Sequence, residues 1–82
     1  MGMGASFQFV AKNSVTGKLT QVEVFVGGVA KGFTTTNPNQ RLLVELDISG
    51  TFDWHAKKSG KVVDKGHSSG GNIIVYVDPR NL

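Results

Sequence analysis

Cysteine is absent from this 82-residue sequence, which removes both a disulfide framework and a thiolate metal site. Stability has to come from packing, and no cofactor is called for. Long apolar runs are absent too. No stretch approaches the roughly 18 residues of a membrane span, and the start MGMGASF lacks the basic and apolar regions of a secretory signal. An exported parent would therefore supply this chain in mature or excised form. Charge is sparse, with nine Lys and Arg against six Asp and Glu. The resulting net charge of +3 permits an acidic partner without demanding one. Helical periodicity is missing as well, which argues against a bundle. A chain of this length buries only about 60 to 65% of its unfolded surface, so an enclosed active site would consume much of its one modest core.

What the sequence does contain is alternation punctuated by glycine. Phe7, Phe9 and Ala11 share one face of Ser6 to Lys12, and Val22, Val24 and Val26 share one face of Thr20 to Val26. Gly27-Gly28 between Val26 and Val29 suits a type I′ hairpin, whose two central residues both need positive φ. It leads into a strand from Val29 to Thr35, after which Thr36-Asn37-Pro38-Asn39 supplies a turn. Leu42, Val44, Leu46 and Ile48 line one face of the next segment. Phe52, Trp54 and Ala56 line the one after, opposite Asp53, His55 and Lys57. Ser59-Gly60 turns the chain into Lys61 to Lys65, and Ile73, Val75 and Val77 form the last strand.

Seven short strands at spacings of about ten residues predict one all-β domain over residues 1 to 82, a sandwich of the Ig-like or transthyretin-like kind. Short two-residue loops keep a small up-and-down β-barrel as the alternative. In a sandwich, Ile48-Ser49-Gly50-Thr51 would be an arch between sheets.

GHSSGG, residues 66 to 71, matches the G-x-S-x-G turn of α/β-hydrolases. There the serine stands on a strand-to-helix turn, and the acid and histidine follow it along the chain. Here the β-branched run Ile73-Ile74-Val75 follows instead of a helix, and His55 and His67 both precede Ser68. The segment reads as a connection between strands, and the chain as no enzyme. The start also fits M-G-x-x-x-[ST], with Gly2 and Ser6 in the positions of a myristoylation signal. That pattern is short and common, and a plain start accounts for it.

Ser14-Val15-Thr16-Gly17-Lys18-Leu19-Thr20-Gln21-Val22-Glu23-Val24-Phe25-Val26 resembles the opening of transthyretin-like, carboxypeptidase-regulatory-type and collagen-adhesin B-type repeats. Ile48-Ser49-Gly50-Thr51-Phe52-Asp53-Trp54, then Lys57-Lys58-Ser59-Gly60 and a final apolar strand, resemble their later features in the same order. The resemblance implies a seven-stranded stalk, spacer or adhesive module without catalysis. Some adhesin repeats form an internal Lys-Asn amide. Lys12 falls near their lysine, but Ala56 stands near their acid and Val77-Asp78 where an asparagine belongs, so Lys12 is expected to be an ordinary lysine.

Asp53 and His55 share a strand face, with His67 as a possible third ligand, but a metal site needs three or four, and a solvated polar face is the plainer reading. Phe52 and Trp54 would offer a sugar-stacking platform if exposed, yet alternation with Asp53 and His55 turns them inward. Lys57, Lys58, Lys61 and Lys65 cluster about one turn with no aromatic beside them to stack bases. That argues for a guarded edge and against nucleic acid.

Two roles remain. One is a structural module of a surface, secreted, virion or filament assembly, and the other a carbohydrate-binding module using loops such as Thr34 to Gln40 or Gly66 to Gly71. The last strand favours the first. It is uncharged and apolar on both faces, with Ile74 and Tyr76 opposite Ile73, Val75 and Val77, and a strand of that kind is usually covered on both sides. Ile74 and Tyr76 are therefore the candidate contact with a second copy or a neighbouring β-domain, unless the loop from Gly66 to Gly71 covers them.

Overall fold

A computed structural model describes residues 4 to 81. Its strands are β1 (Ser6–Asn13), β2 (Leu19–Thr20), β3 (Glu23–Val26), β4 (Val29–Phe33), β5 (Leu42–Glu45), β6 (Phe52–Lys58), β7 (Lys61–Ser68) and β8 (Gly71–Val77), and a 3₁₀ turn covers Pro79–Asn81. The ladders divide into two sheets. In the first, β1 is central: β8 runs parallel along one side, while β5 and β2 share the other, both antiparallel. The second is antiparallel in the order β4-β3-β6-β7.

The alternating residues meet between these sheets. Phe7, Phe9, Ala11, Val44, Val75 and Val77 from one side and Val22, Val24, Val26, Trp54 and Ala56 from the other form one buried cluster. Phe9 meets Trp54 edge-on at 5.8 Å between ring centroids, and Phe7 meets Phe52 likewise at 6.3 Å. Leu42, Leu46, Phe52 and Ile73, expected in the core, are partly buried at its margin.

Two hairpins follow from local backbone chemistry. Gly27 and Gly28 have φ of 61° and 80°, as the type I′ turn requires. Ser59 and Gly60 repeat the pattern at 54° and 76°, with Ser59 accepting a conformation that L-residues adopt reluctantly. The β1–β2 turn stays within the first sheet, and the other connections change sheets. No ladder joins β4 to β5, β5 to β6 or β7 to β8, so the chain is not an up-and-down meander, and the segment after Ile48 does cross between sheets.

Four expectations need correction. The single strand over Thr20 to Val26 is broken at Gln21-Val22, with β2 in one sheet and β3 in the other, which makes eight strands among the described residues rather than seven. Ile48 lies outward, 65% exposed, because Ala5 bonds both Leu46 and Ile48 and bends the chain there. The seventh strand continues to Ser68, so only Ser69 and Gly70 of GHSSGG lie outside strands. The strand after the first hairpin stops at Phe33, because in the next rung the Val22 N–H donates to the Thr34 hydroxyl and not to its carbonyl.

Candidate functional site

Each part of GHSSGG has a packing role. Gly66 lies against the Trp54 indole, where an added Cβ would come within 3.1 Å of the ring. The Ser68 hydroxyl donates to the Gly70 carbonyl at 2.8 Å and accepts the Gly70 N–H at 3.1 Å. Gly70 has φ of 138° and sits over the Ser6 carbonyl. His67 precedes Ser68 in a strand and so points to the opposite face, where its Nδ1 is 3.7 Å from Asp53. No histidine is bonded to Ser68 among the described residues.

The outer face of the second sheet gathers the remaining polar candidates. Register sets Asp53 opposite His67, His55 opposite Lys65, and Phe25 opposite His55. The Phe25 and His55 rings are stacked at 4.6 Å and 5°, and the Lys57 ammonium lies 5.2 Å from the Phe25 centroid. An aromatic therefore does stand beside the lysine cluster, contributed by β3, which the linear sequence conceals. An open cleft of about 1080 Å³ is lined here by His55, Lys57, Lys65 and His67 among others. His55 is turned toward Phe25, and the described residues hold no group of three metal-ligating side chains. Lys58 donates to the Gln21 carbonyl at 3.1 Å. Trp54 is 8% exposed and faces the core.

Ile74 and Tyr76 lie on the outer face of the first sheet, 40% and 53% exposed. Register brings Val10 beside Ile74 and Lys12 beside Tyr76. Val10 is buried although it points away from the inter-sheet core, because Pro38, Gln40 and Arg41 wall a shallow pocket of about 320 Å³ over it, with Leu19 and Ile74 on its other sides. Lys12, the lysine of the adhesin comparison, lies between Leu19 and Tyr76, while Ala56 is in the core.

The backbone of β8 carries the more specific information. Val77 accepts the Ser14 N–H at 2.8 Å on the β1 side. Backbone groups alternate along a strand, so residues 73, 75 and 77 face β1 while Asn72, Ile74 and Tyr76 direct their N–H and C=O groups away from it. The Tyr76 N–H confirms the parity, since it donates outward to Asp64 Oδ2 at 3.0 Å. Asp64 reaches it from β7 because its partner Ala56 is an inward position and β7 is the next sheet's edge. The outward groups of Asn72 and Ile74 have no partner among the described residues. The sequence offered no sign of Asp64's part, which depends on two strands that share no ladder.

After β8, Asp78 and Arg80 form a forked pair, with Nε to Oδ1 at 3.0 Å and Nη2 to Oδ2 at 2.9 Å. The guanidinium bonds hold the Asp78 carboxyl below its ordinary value and raise Arg80 above its own. The candidate lipid attachment at Gly2 lies outside the described residues. No protein-family model matches this chain, and no curated protein or solved structure resembles it significantly.

Proposed function

We propose that the chain is a non-catalytic structural module that joins neighbouring β-domains through the free edge of β8 and the apolar face carried by Ile74 and Tyr76. The observation that carries this reading is the coincidence of outward backbone groups at Asn72 and Ile74 with exposed apolar side chains on the same strand. Unpaired edges add strands readily unless proline, charge or a bulge blocks them, and β8 itself carries none of these, with the Asp64 carboxylate meeting its edge only at the Tyr76 N–H. A surface, secreted, virion or filament assembly is the setting such a role implies.

The fold we adopt for it is the transthyretin-like form of a seven-stranded sandwich, with β2 as a two-residue addition. Without β2, the fourth, first and last strands share one sheet. An immunoglobulin constant domain instead joins the first, second, fifth and fourth, so the Ig-like form is the weaker fit.

Sedimentation of the wild type against Ile74→Lys tests the role. Association that the substitution abolishes without loss of stability supports it; a monomer in both cases removes its support. Carbohydrate binding is the second reading, favoured by the cleft beside the Phe25 and His55 rings. A glycan array that gives hits lost in His55→Ala would move the assignment there.

A further inference from the structure

We propose that the occupant of the β8 edge is β8 of a second copy, antiparallel to the first, with a twofold axis at Ile74. This rests on the reading of β8 as an association edge and adds the partner and the register. In that alignment Ile74 lies opposite Ile74 of the other copy, and Asn72 opposite Tyr76 in both directions. Antiparallel partners that direct their backbone groups at one another exchange both hydrogen bonds. Asn72, Ile74 and Tyr76 are the outward residues of β8, so this register satisfies all their edge groups without remainder. A shift by one residue would set inward-bonded groups against outward ones.

The choice of a second copy follows from comparing the strands that border each sheet. β7 carries Lys61 and Lys65 and is bulged near Val63. β4 is bulged at Lys31, which stands unpaired opposite Val24 and Phe25. β5 has four residues and ends in Glu45, and β2 has two. β8 alone is seven residues long, regular and uncharged. A charged foreign strand finds no counter-ion on it, whereas a copy of itself brings none and sets the two Ile74 side chains together on one face. The contact is isologous and closes at two.

Asp64 is the latch. In the single chain its carboxylate accepts the Tyr76 N–H and so fills the place that the incoming carbonyl of Asn72 would take. Pairing has to displace it, which keeps the dimer reversible and makes Asp64 a guard of the kind that natural sheet edges use.

The absence of native cysteine makes the register directly testable. Paired residues of this type have Cα atoms about 5.5 Å apart, within the roughly 4.4 to 6.8 Å that a disulfide spans. Ile74→Cys should therefore oxidise to a covalent dimer at least about tenfold faster than Leu43→Cys, which is exposed on β5, because the second thiol is held in place. Sedimentation should show monomer and dimer and nothing larger. Ile74→Pro, which removes an outward N–H and leaves the β1 ladder intact, should give monomer, and Asp64→Ala should tighten the dimer several-fold. Association that Ile74→Lys disrupts, but with equal cross-linking of the two cysteine variants or with species beyond dimer, would overturn this pairing and leave the association reading standing. A wild type that stays monomeric sinks both. Weaker association in Asp64→Ala would overturn the latch.

Discussion

Thr34 and Val22 hold each other twice: the Val22 N–H donates to Thr34 Oγ1 at 2.9 Å, and the Thr34 N–H donates to the Val22 carbonyl at 2.9 Å. The same hydroxyl donates to the Thr20 carbonyl at 3.0 Å. This happens one rung beyond the Glu23–Phe33 pair, where the chain leaves one sheet for the other and the ladder ends. A single threonine, with 0% exposure, supplies the missing partners.

Thr34→Val keeps the shape and removes the hydroxyl, leaving a buried donor and acceptor unmet. We expect a loss of about 1 to 3 kcal/mol in urea unfolding, with Thr34→Ser retaining most of the stability. Equal stability of the wild type and Thr34→Val would show that the crossing does not depend on this hydroxyl.

GHSSGG makes an opposite pair of expectations. Ser68→Ala removes a hydroxyl bonded only to Gly70 and should cost about 0.5 to 1.5 kcal/mol, and Ser68 should not react stoichiometrically with a fluorophosphonate. Gly70→Ala meets two obstacles, a φ of 138° and a Cβ 2.7 Å from the Ser6 carbonyl. It should therefore cost more than about 1 kcal/mol in the same unfolding assay. The reverse order of stability would mean that the glycine is not the structural centre of the segment.

The division between legible and hidden features follows the range of the interactions. Alternation at Phe7 and Phe9, Val24 and Val26, Trp54 and Ala56, and Val75 and Val77 is local, and it identified the inward residues. Gly27-Gly28 announced its own turn. The break at Gln21-Val22 was invisible because Val22, Val24 and Val26 keep the same inward period while the chain changes ladders, and the residue that permits the change is twelve positions away. Ile48 continues an apolar alternation that Ala5 ends from a distance. The parallel pairing of β1 with β8 has no local sign at all, although it decides which backbone groups of β8 are free. The apolar character of Ile74 and Tyr76 was readable, and so was the question of what covers them; Asp64 was not.

The Asp78 and Arg80 pair predicts a pH effect of definite sign. The carboxyl titrates lower in the folded chain because Arg80 donates to its charged form. Its stabilising contribution is therefore present above the ordinary value of 3.8 and is lost as pH falls through the lower folded value. Carboxyl-carbon NMR should show Asp78 titrating below 3.8 in the wild type and moving upward in Arg80→Ala. An unmoved midpoint would show that the fork does not persist in solution, where both groups are hydrated and such pairs contribute little.

Gly66 tests how firmly the core is set at its margin. The Trp54 indole leans on Gly66 from one side and meets Phe9 edge-on at 5.8 Å. Unlike Gly70, Gly66 has ordinary strand φ, so alanine here would relieve the entropic penalty of glycine, about 0.5 to 1 kcal/mol, while its Cβ crowds three ring atoms at 3.1 to 3.2 Å. The two effects oppose, and Gly66→Ala should lie near the wild type. Valine adds two further methyls beside a ring that the Cβ already crowds, and crowding of that kind costs about 1 to 3 kcal/mol. Because Trp54 is the single tryptophan, its emission reports the event without ambiguity. We expect Gly66→Val to be destabilised with red-shifted emission, as the ring is levered away from Phe9 toward water. Unchanged emission together with unchanged stability would mean that Trp54 has room to retreat and that the margin of the core is softer than its packing indicates.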